Sequence, residues 1–151
     1  IKEYKRTSQF TGIILTIENL PSIVNLTNLF STLSLPVDNT FQIVKFAKEN
    51  EISVTFDTSH IGKSNLNLLK AYNVFKDTIA NIHLSDYDGK YQHLLPGSGN
   101  LPLAELLYQL KQDKYDGIIT LESCPISMRS SDKIEAIKNA ERCLSYIKKI
   151  L

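Results

Sequence analysis

The chain has 151 residues, a length that suits one domain with its own hydrophobic core. Hydrophobic residues make up 42% of the sequence and charged residues 22%, as in an ordinary globular protein. The net charge of +1 gives no global field that would attract nucleic acid or an anionic membrane, and no apolar run approaches the roughly 20 residues of a membrane helix.

Four short runs rich in Ile, Val, Thr or Phe predict β-strands. They cover residues 13–18, 52–57, 80–85 and 117–122. Amphipathic helical patterns follow them over residues 41–48, 66–75, 103–110 and from Asp132 to the C-terminus. Residues 21–39 are expected to form one long connection before the first of these helices. This alternation predicts an α/β fold of about four parallel β/α units in a single domain, residues 1–151.

Each predicted strand has one apolar face and one smaller, more polar face, because side chains alternate along a strand. Near its C-terminal end, the polar face of every strand carries an ionisable residue. These residues are Glu18, Asp57, His83 and Glu122. In parallel barrels the C-terminal strand ends are where catalytic residues gather, and buried charges are costly unless they are paired or bound to a metal. Two Glu, one Asp and one His predict a divalent cation such as Mn²⁺ or Mg²⁺, with Zn²⁺, Co²⁺ or Fe²⁺ as alternatives.

Two further histidines and a glycine turn lie close to this set in sequence. His60 follows Asp57 by three residues, so we expect it at the rim of the same pocket, and His93 arrives from the loop after the third strand. The turn over residues 95–99 would let the backbone at Gly97 and Gly99 approach a bound substrate. Alternatively, the two glycines only make a turn.

At these residues the sequence resembles the xylose isomerase-like TIM barrels, a superfamily of sugar isomerases and epimerases that also contains endonuclease IV. The matching motifs are IEN with Glu18, DTSH with Asp57 and His60, IHLSD with His83 and Asp86, the loop from His93 to Gly97-Ser98-Gly99, and LES with Glu122. The resemblance implies a TIM-barrel fold of which this chain is the C-terminal half.

The resemblance also implies an activity in carbohydrate metabolism. One divalent metal, Mn, Mg, Co or Zn, would be held by Glu18, Asp57, His83 and Glu122. Glu18 and Glu122 would then move a proton on opposite faces of a small keto sugar or sugar phosphate through an enediolate. His60, His93, Gly97 and Gly99 would contact the substrate. Some members carry an arginine in the loop after the histidine strand, whereas this loop has only Lys90 and His93 as basic residues, so the substrate stays open.

Two other readings remain open. The chain could resemble endonuclease IV in function, as a metal-dependent phosphodiester hydrolase on abasic DNA, but Tyr91 stands where that enzyme has an Asp two residues before the loop histidine. It could also be a catalytically incomplete half barrel that serves as a binding or assembly module. In each case the open sheet edges call for the remainder of the barrel or a second copy.

Cys124 and Cys143 form no CxxC pair and are interpreted as reduced thiols, which favours a cytoplasmic location.

Overall fold

The computed structural model describes residues 2–21 and 40–151. The predicted connection over residues 21–39 therefore lies, beyond Pro21, outside the described residues. The elements in chain order are α1 (Lys2–Thr11), β1 (Thr16–Glu18), α2 (Thr40–Glu49), β2 (Ser53–Asp57), α3 (Thr58–Lys63), α4 (Leu68–Phe75), a 3-10 turn (Lys76–Thr78), β3 (Ile79–Leu84), α5 (Leu103–Gln112), β4 (Ile118–Leu121), α6 (Pro125–Met128) and α7 (Lys133–Lys148).

The four strands form one sheet in the order β1-β2-β3-β4, and every neighbouring pair is parallel. The predicted architecture of four parallel strands in sequence order is therefore confirmed. Three helices were not predicted. α1 is almost entirely polar and has no apolar stripe, while α3 and α6 have only 6 and 4 residues, too few for a helical period to show.

The hydrophobic core lies between one face of the sheet and the covering helices. The apolar faces of β2 and β3 are fully buried there, with Val54, Phe56, Ile82 and Leu84 each 0% exposed. Helices α2, α4 and α5 supply most of the opposing side chains. The ring of Phe56 packs at 5.4 Å from that of Phe75. The predicted division into an apolar helix-facing side and a polar opposite side is therefore correct.

The pairing of neighbouring strands is staggered, as the tilted strands of a closed barrel require. Glu18 pairs with Thr55, two residues before Asp57, while Asp57 pairs directly with His83. His83 in turn pairs with Thr120, two residues before Glu122. From one strand-end residue to the next, the pairing is therefore shifted by two residues between β1 and β2, by none between β2 and β3, and by two between β3 and β4. A closed barrel of eight strands climbs about eight residues in a full circuit, so this sheet has the stagger of half a barrel.

Candidate metal centre

Four ionisable side chains converge at the C-terminal end of the sheet, and each strand delivers one of them. One ligand atom from each lies within 4.8 Å of the chosen atoms of the other three. The set consists of Glu18, Asp57, His83 and Glu122, which we call the quartet. The structure thus brings together the residues that the strand pattern singled out, and their catalytic and metal-binding roles stay predictions.

The imidazole of His83 lies at the centre of the quartet. Its Nδ1 atom is 2.6 Å from Oε2 of Glu122. The same nitrogen lies 3.6 Å from Oε2 of Glu18 and 3.9 Å from Oδ2 of Asp57. Three carboxylates therefore face one imidazole nitrogen, so the site has many hydrogen-bond acceptors and few donors.

Within the described residues, the hydrogen bonds of the quartet leave several ligand atoms available for a cation. Within residues 2–21 and 40–151, Oδ2 of Asp57, Nδ1 of His83 and Oε2 of Glu122 are buried atoms without a hydrogen-bond partner. The 2.6 Å approach between His83 and Glu122 does not have the geometry of a hydrogen bond. Buried polar atoms are nearly always satisfied, and a shared cation satisfies such a set together. Three carboxylates and one imidazole are a suitable donor set for Mn²⁺, Co²⁺ or Zn²⁺, so the residues present fit a divalent metal.

Asp57 is held in place by the first turn of α3. Its Oδ1 atom accepts from the backbone N–H of His60 at 2.8 Å and from the hydroxyl of Ser59 at 3.1 Å, so Asp57 is the N-cap of the helix. This leaves Oδ2 directed away from the cap and toward the quartet. The side chain is fully buried, and this burial raises the pKa of the carboxyl above its usual range.

His60 stands beside Glu18 at the rim of the quartet. The two side chains approach to 3.2 Å between Nδ1 and Oε1, and this contact holds the pKa of Glu18 below its usual value. Burial opposes the charged form of His60, but the carboxylates of Glu18 and Asp57 outweigh it and raise the pKa of the imidazole. Glu18 is therefore ionised at neutral pH, the state that a proton acceptor needs.

Asn19 is a site residue that sequence reasoning overlooked. Its buried side chain pairs with the backbone of Asp57, accepting from the N–H at 2.8 Å and donating to the carbonyl at 3.0 Å. Its own carbonyl accepts from Nδ1 of His60 at 2.8 Å. Asn19 thus ties the end of β1 to β2 and orients two site residues. The available signal was an amide residue directly after a strand-end carboxylate.

His93 lies next to His60 at the rim of the quartet. The rings of His60 and His93 meet edge to face with centroids 5.1 Å apart. Nδ1 of His93 is 3.4 Å from the hydroxyls of both Ser59 and Ser85. Asp57, His60 and His93 form a second group whose ligand atoms lie within 4.8 Å of one another, so the predicted rim histidines do adjoin the quartet.

The glycine turn wraps a buried carboxylate. Asp86 is 1% exposed, and its Oδ2 atom accepts from the N–H groups of Gly97 and Gly99 at 3.0 and 2.9 Å. Its Oδ1 atom accepts from the N–H groups of Tyr87 and Leu101 at 2.9 and 3.0 Å. The N–H groups of both predicted substrate-binding glycines are thus engaged within the protein, and a substrate contact there stays a prediction. Asp86 is part of the IHLSD motif, but no local pattern indicates that it binds the glycine turn.

A family model described as xylose isomerase-like TIM barrel matches residues 5–149 of the chain. MJ1311, an uncharacterized protein of Methanocaldococcus jannaschii, is 25% identical over 150 residues, which are 97% of this chain and 47% of that protein. In the part of the chain that the structure describes, no helix combines the length and apolarity needed to cross a membrane.

Solved structures of sugar epimerases share the fold. The D-psicose 3-epimerase of Clostridium cellulolyticum H10 superposes with a TM-score of 0.76 at 17% identity, covering 99% of this chain and 53% of the epimerase. The 3-keto-D-glucoside 4-epimerase of E. coli superposes with a TM-score of 0.66 at 19% identity, covering 98% and 50%. The chain spans about half the length of the relatives that it matches. With its four parallel strands and a family match over nearly all its residues, the chain belongs to the xylose isomerase-like TIM barrel family.

Proposed function

We propose that the protein containing this chain is a metal-dependent isomerase or epimerase of a small keto sugar or sugar phosphate. The observation that carries this proposal is the quartet, in which three buried ligand atoms have no hydrogen-bond partner in the part of the chain that the structure describes. The fold shared with sugar epimerases supports the substrate class. The proposal treats residues 1–151 as the C-terminal half of the barrel, because the relatives are about twice as long.

Glu18, Asp57, His83 and Glu122 would hold one divalent ion, Mn, Mg, Co or Zn. When bound, such an ion polarises a carbonyl and stabilises negative charge on adjacent oxygens. The chain supplies the rigidity of the site. Asp57 is fixed by the α3 cap and by Asn19, and both constraints act on its backbone or on the oxygen that faces away from the quartet.

Glu18 and Glu122 would be the two proton-transfer groups. Glu18 ends β1 and Glu122 directly follows β4, the outermost strands of the described sheet, so they would approach a substrate from opposite sides. One carboxylate would remove the proton beside the carbonyl and the other would return a proton to the opposite face. Glu18 would be available as the acceptor because its contact with His60 lowers its pKa and so keeps the carboxylate ionised.

His60 and His93 would orient substrate oxygens at the rim. Their perpendicular rings line one side of the site, and the hydroxyls of Ser59 and Ser85 support His93. The backbone at Gly97 and Gly99 would form the floor of the sugar pocket, with Asp86 keeping that turn rigid.

The test follows the incorporation of deuterium from solvent into a panel of ketoses and ketose phosphates, using the intact protein with added Mn²⁺, Mg²⁺ or Co²⁺. We expect exchange at the carbon beside the carbonyl. Glu18→Gln and Glu122→Gln should lower kcat far more than they raise KM, because they keep size but remove basicity. The matched control is Glu135→Gln on α7, a carboxylate bonded to Arg129 and Lys138 instead. Metal binding without exchange on any ketose would refute the proposal.

A further inference from the structure

The regular pairing between the first three strands stops at the level of the quartet. Between β1 and β2 the last paired residues are Glu18 and Thr55, and between β2 and β3 they are Asp57 and His83. Directly after β2 the chain turns into α3, which begins at Thr58. Backbone groups just beyond the last pair therefore need partners from elsewhere, because a buried N–H or C=O group without one is costly.

At the first junction, the side chain of Asn19 supplies these partners. Asn19 directly follows Glu18, and its Oδ1 atom accepts from the N–H of Asp57 at 2.8 Å. Its Nδ2 atom donates to the carbonyl of the same residue at 3.0 Å. One side chain thus satisfies both backbone groups of a single residue on the next strand, an arrangement that we call a backbone clamp.

At the second junction, Thr58 repeats this arrangement with a hydroxyl group. Thr58 directly follows Asp57, and its Oγ1 atom accepts from the N–H of Ser85 at 3.0 Å and donates to the carbonyl of Ser85 at 2.6 Å. The carbonyl of His83 is a second acceptor at 3.2 Å. Thr58 and Ser85 are both 0% exposed, so water does not compete for these groups. In both clamps, the residue after one quartet member holds the backbone at or near the quartet member of the next strand.

The clamped backbone carries side chains of the site. Asp57 is itself a member of the quartet. Ser85 lies two residues after His83, and its hydroxyl is 3.4 Å from Nδ1 of His93. His93 has a left-handed backbone with φ of 53°, a conformation that a residue with a side chain keeps only where its surroundings hold it. A displacement of Ser85 would therefore affect both histidines.

We propose that Asn19 and Thr58 are positioning residues, which fix the spacing of the quartet's ligand atoms by clamping the backbone of the neighbouring strand. The inference rests on the proposed function, because it takes the quartet to be the metal site. Bond lengths of about 2.0–2.6 Å leave a bound ion little tolerance for movement of its ligands. Residues that orient metal ligands typically contribute about 10–100-fold to metal affinity or activity.

Thr58→Val tests the second clamp, because it keeps the shape of the side chain and removes the hydroxyl. The intact protein is measured by isothermal titration calorimetry with Mn²⁺ and, without metal, by amide hydrogen exchange. We expect faster exchange at the N–H of Ser85 and an affinity for Mn²⁺ that is weaker by about 10-fold or more. With a ketose that the protein converts, kcat should fall more than KM rises. Thr58→Ser retains the hydroxyl and should stay close to wild type in all these measurements.

The matched control is Thr78→Val, at the opposite end of β3 from the quartet. The hydroxyl of Thr78 donates to the carbonyl of Phe75 at 2.7 Å, so this variant also loses a bond from a threonine to the backbone. It should lower the stability of the fold and leave the affinity for Mn²⁺ unchanged. An equal loss of Mn²⁺ affinity in Thr58→Val and Thr78→Val would overturn the proposal, as would a failure of Thr58→Ser to restore it.

Asn19→Ala tests the first clamp independently. We expect faster exchange at the N–H of Asp57 and weaker binding of Mn²⁺, whereas Asn139→Ala should bind Mn²⁺ like the wild type. Asn139 is the matched asparagine, since its Nδ2 atom donates to the carbonyl of Met128 at 3.2 Å between α7 and α6. Wild-type Mn²⁺ affinity in both Asn19→Ala and Thr58→Val would overturn the proposal. If the protein converts no ketose, the proposed function fails, while Mn²⁺ affinity and amide exchange still decide whether the clamps position the quartet.

Discussion

Nδ1 of His83 and Oε2 of Glu122 lie 2.6 Å apart, yet neither atom has a hydrogen-bond partner among the described residues. Two buried acceptors at this distance are stable when a cation lies between them and the other carboxylates. His83→Ala should therefore weaken binding of Mn²⁺ by more than about 10-fold, since even residues that only support a ligand contribute that much. Isothermal titration calorimetry of the intact protein with Mn²⁺ measures this change in affinity. Equal Mn²⁺ affinity in the variant and the wild type would remove His83 from the ligand set.

Gly99 has no room for a side chain. A Cβ at this position would lie 2.5 Å from Oδ1 of Asp86 and 2.7 Å from the carbonyl oxygen of Tyr87. We expect Gly99→Ala to lower the free energy of unfolding by ~1–3 kcal/mol, because the buried carboxylate and its donors must move apart. The control is Ser98→Ala at the exposed neighbouring position, which should stay within about 0.5 kcal/mol of wild type. Denaturant titration measures the free energy of unfolding of both variants. Equal values for Gly99→Ala and Ser98→Ala would contradict the prediction, because they would mean that the turn accommodates the methyl group without loss of stability.

Phe56 links the sheet to the helical layer. It is 0% exposed, and its ring packs against Phe75 at 5.4 Å and Tyr72 at 6.3 Å between centroids. Phe56→Ala should cost ~3–5 kcal/mol of unfolding free energy, from lost burial and the cavity that remains. Ile126→Ala, at a position 89% exposed, should cost less than about 0.5 kcal/mol. A small loss of unfolding free energy in Phe56→Ala would contradict this prediction and show that the core collapses into the cavity.

The hydrogen bond from Tyr72 to Asp113 should be visible in the pH dependence of stability. The hydroxyl donates to Oδ2 at 2.9 Å, and this bond holds the pKa of Asp113 below its ordinary value. A lowered pKa in the folded state stabilises the protein above the unfolded-state pKa, and that contribution disappears as pH falls through the folded-state pKa. Tyr72→Phe should therefore lower the free energy of unfolding at neutral pH, and the difference from wild type should shrink as the solution is acidified.

Chemical denaturation at a series of pH values measures this difference. Asp113→Asn is the matched variant, since it keeps the side-chain size and removes the charge. In that background Tyr72→Phe should show no pH dependence between neutral and acidic conditions. A difference between wild type and Tyr72→Phe that stays constant down to acidic pH would contradict the assignment of Tyr72 as the group that lowers the pKa of Asp113.

The strand–helix alternation predicted the parallel sheet, and period-two alternation within the strands singled out the four strand-end residues. Glu18, Asp57, His83 and Glu122 occur at fixed parity in runs of strand-forming residues, and parallel strands bring such positions to one edge. α3 and α6 escaped prediction because each depends on a single cap, from Asp57 and Cys124, and not on a periodic pattern.

The parts of the site that depend on long-range hydrogen bonds could not be read from local sequence. Asn19 acts on Asp57 across a separation of 38 residues, and its partner is a backbone group that looks the same at every position. Asp86 accepts from residues 11 and 13 positions later, where the turn folds back over the carboxylate. Only the path of the chain in three dimensions selects these donors.

The central claim is that the quartet binds one divalent cation, and anomalous scattering locates such an ion directly. Crystals of the intact protein grown with Mn²⁺ would be measured on both sides of the manganese absorption edge. We expect one strong anomalous peak about 2.0–2.6 Å from ligand atoms of Glu18, Asp57, His83 and Glu122 together. No peak at saturating Mn²⁺, or a peak that excludes Glu18 and Glu122, would contradict the account.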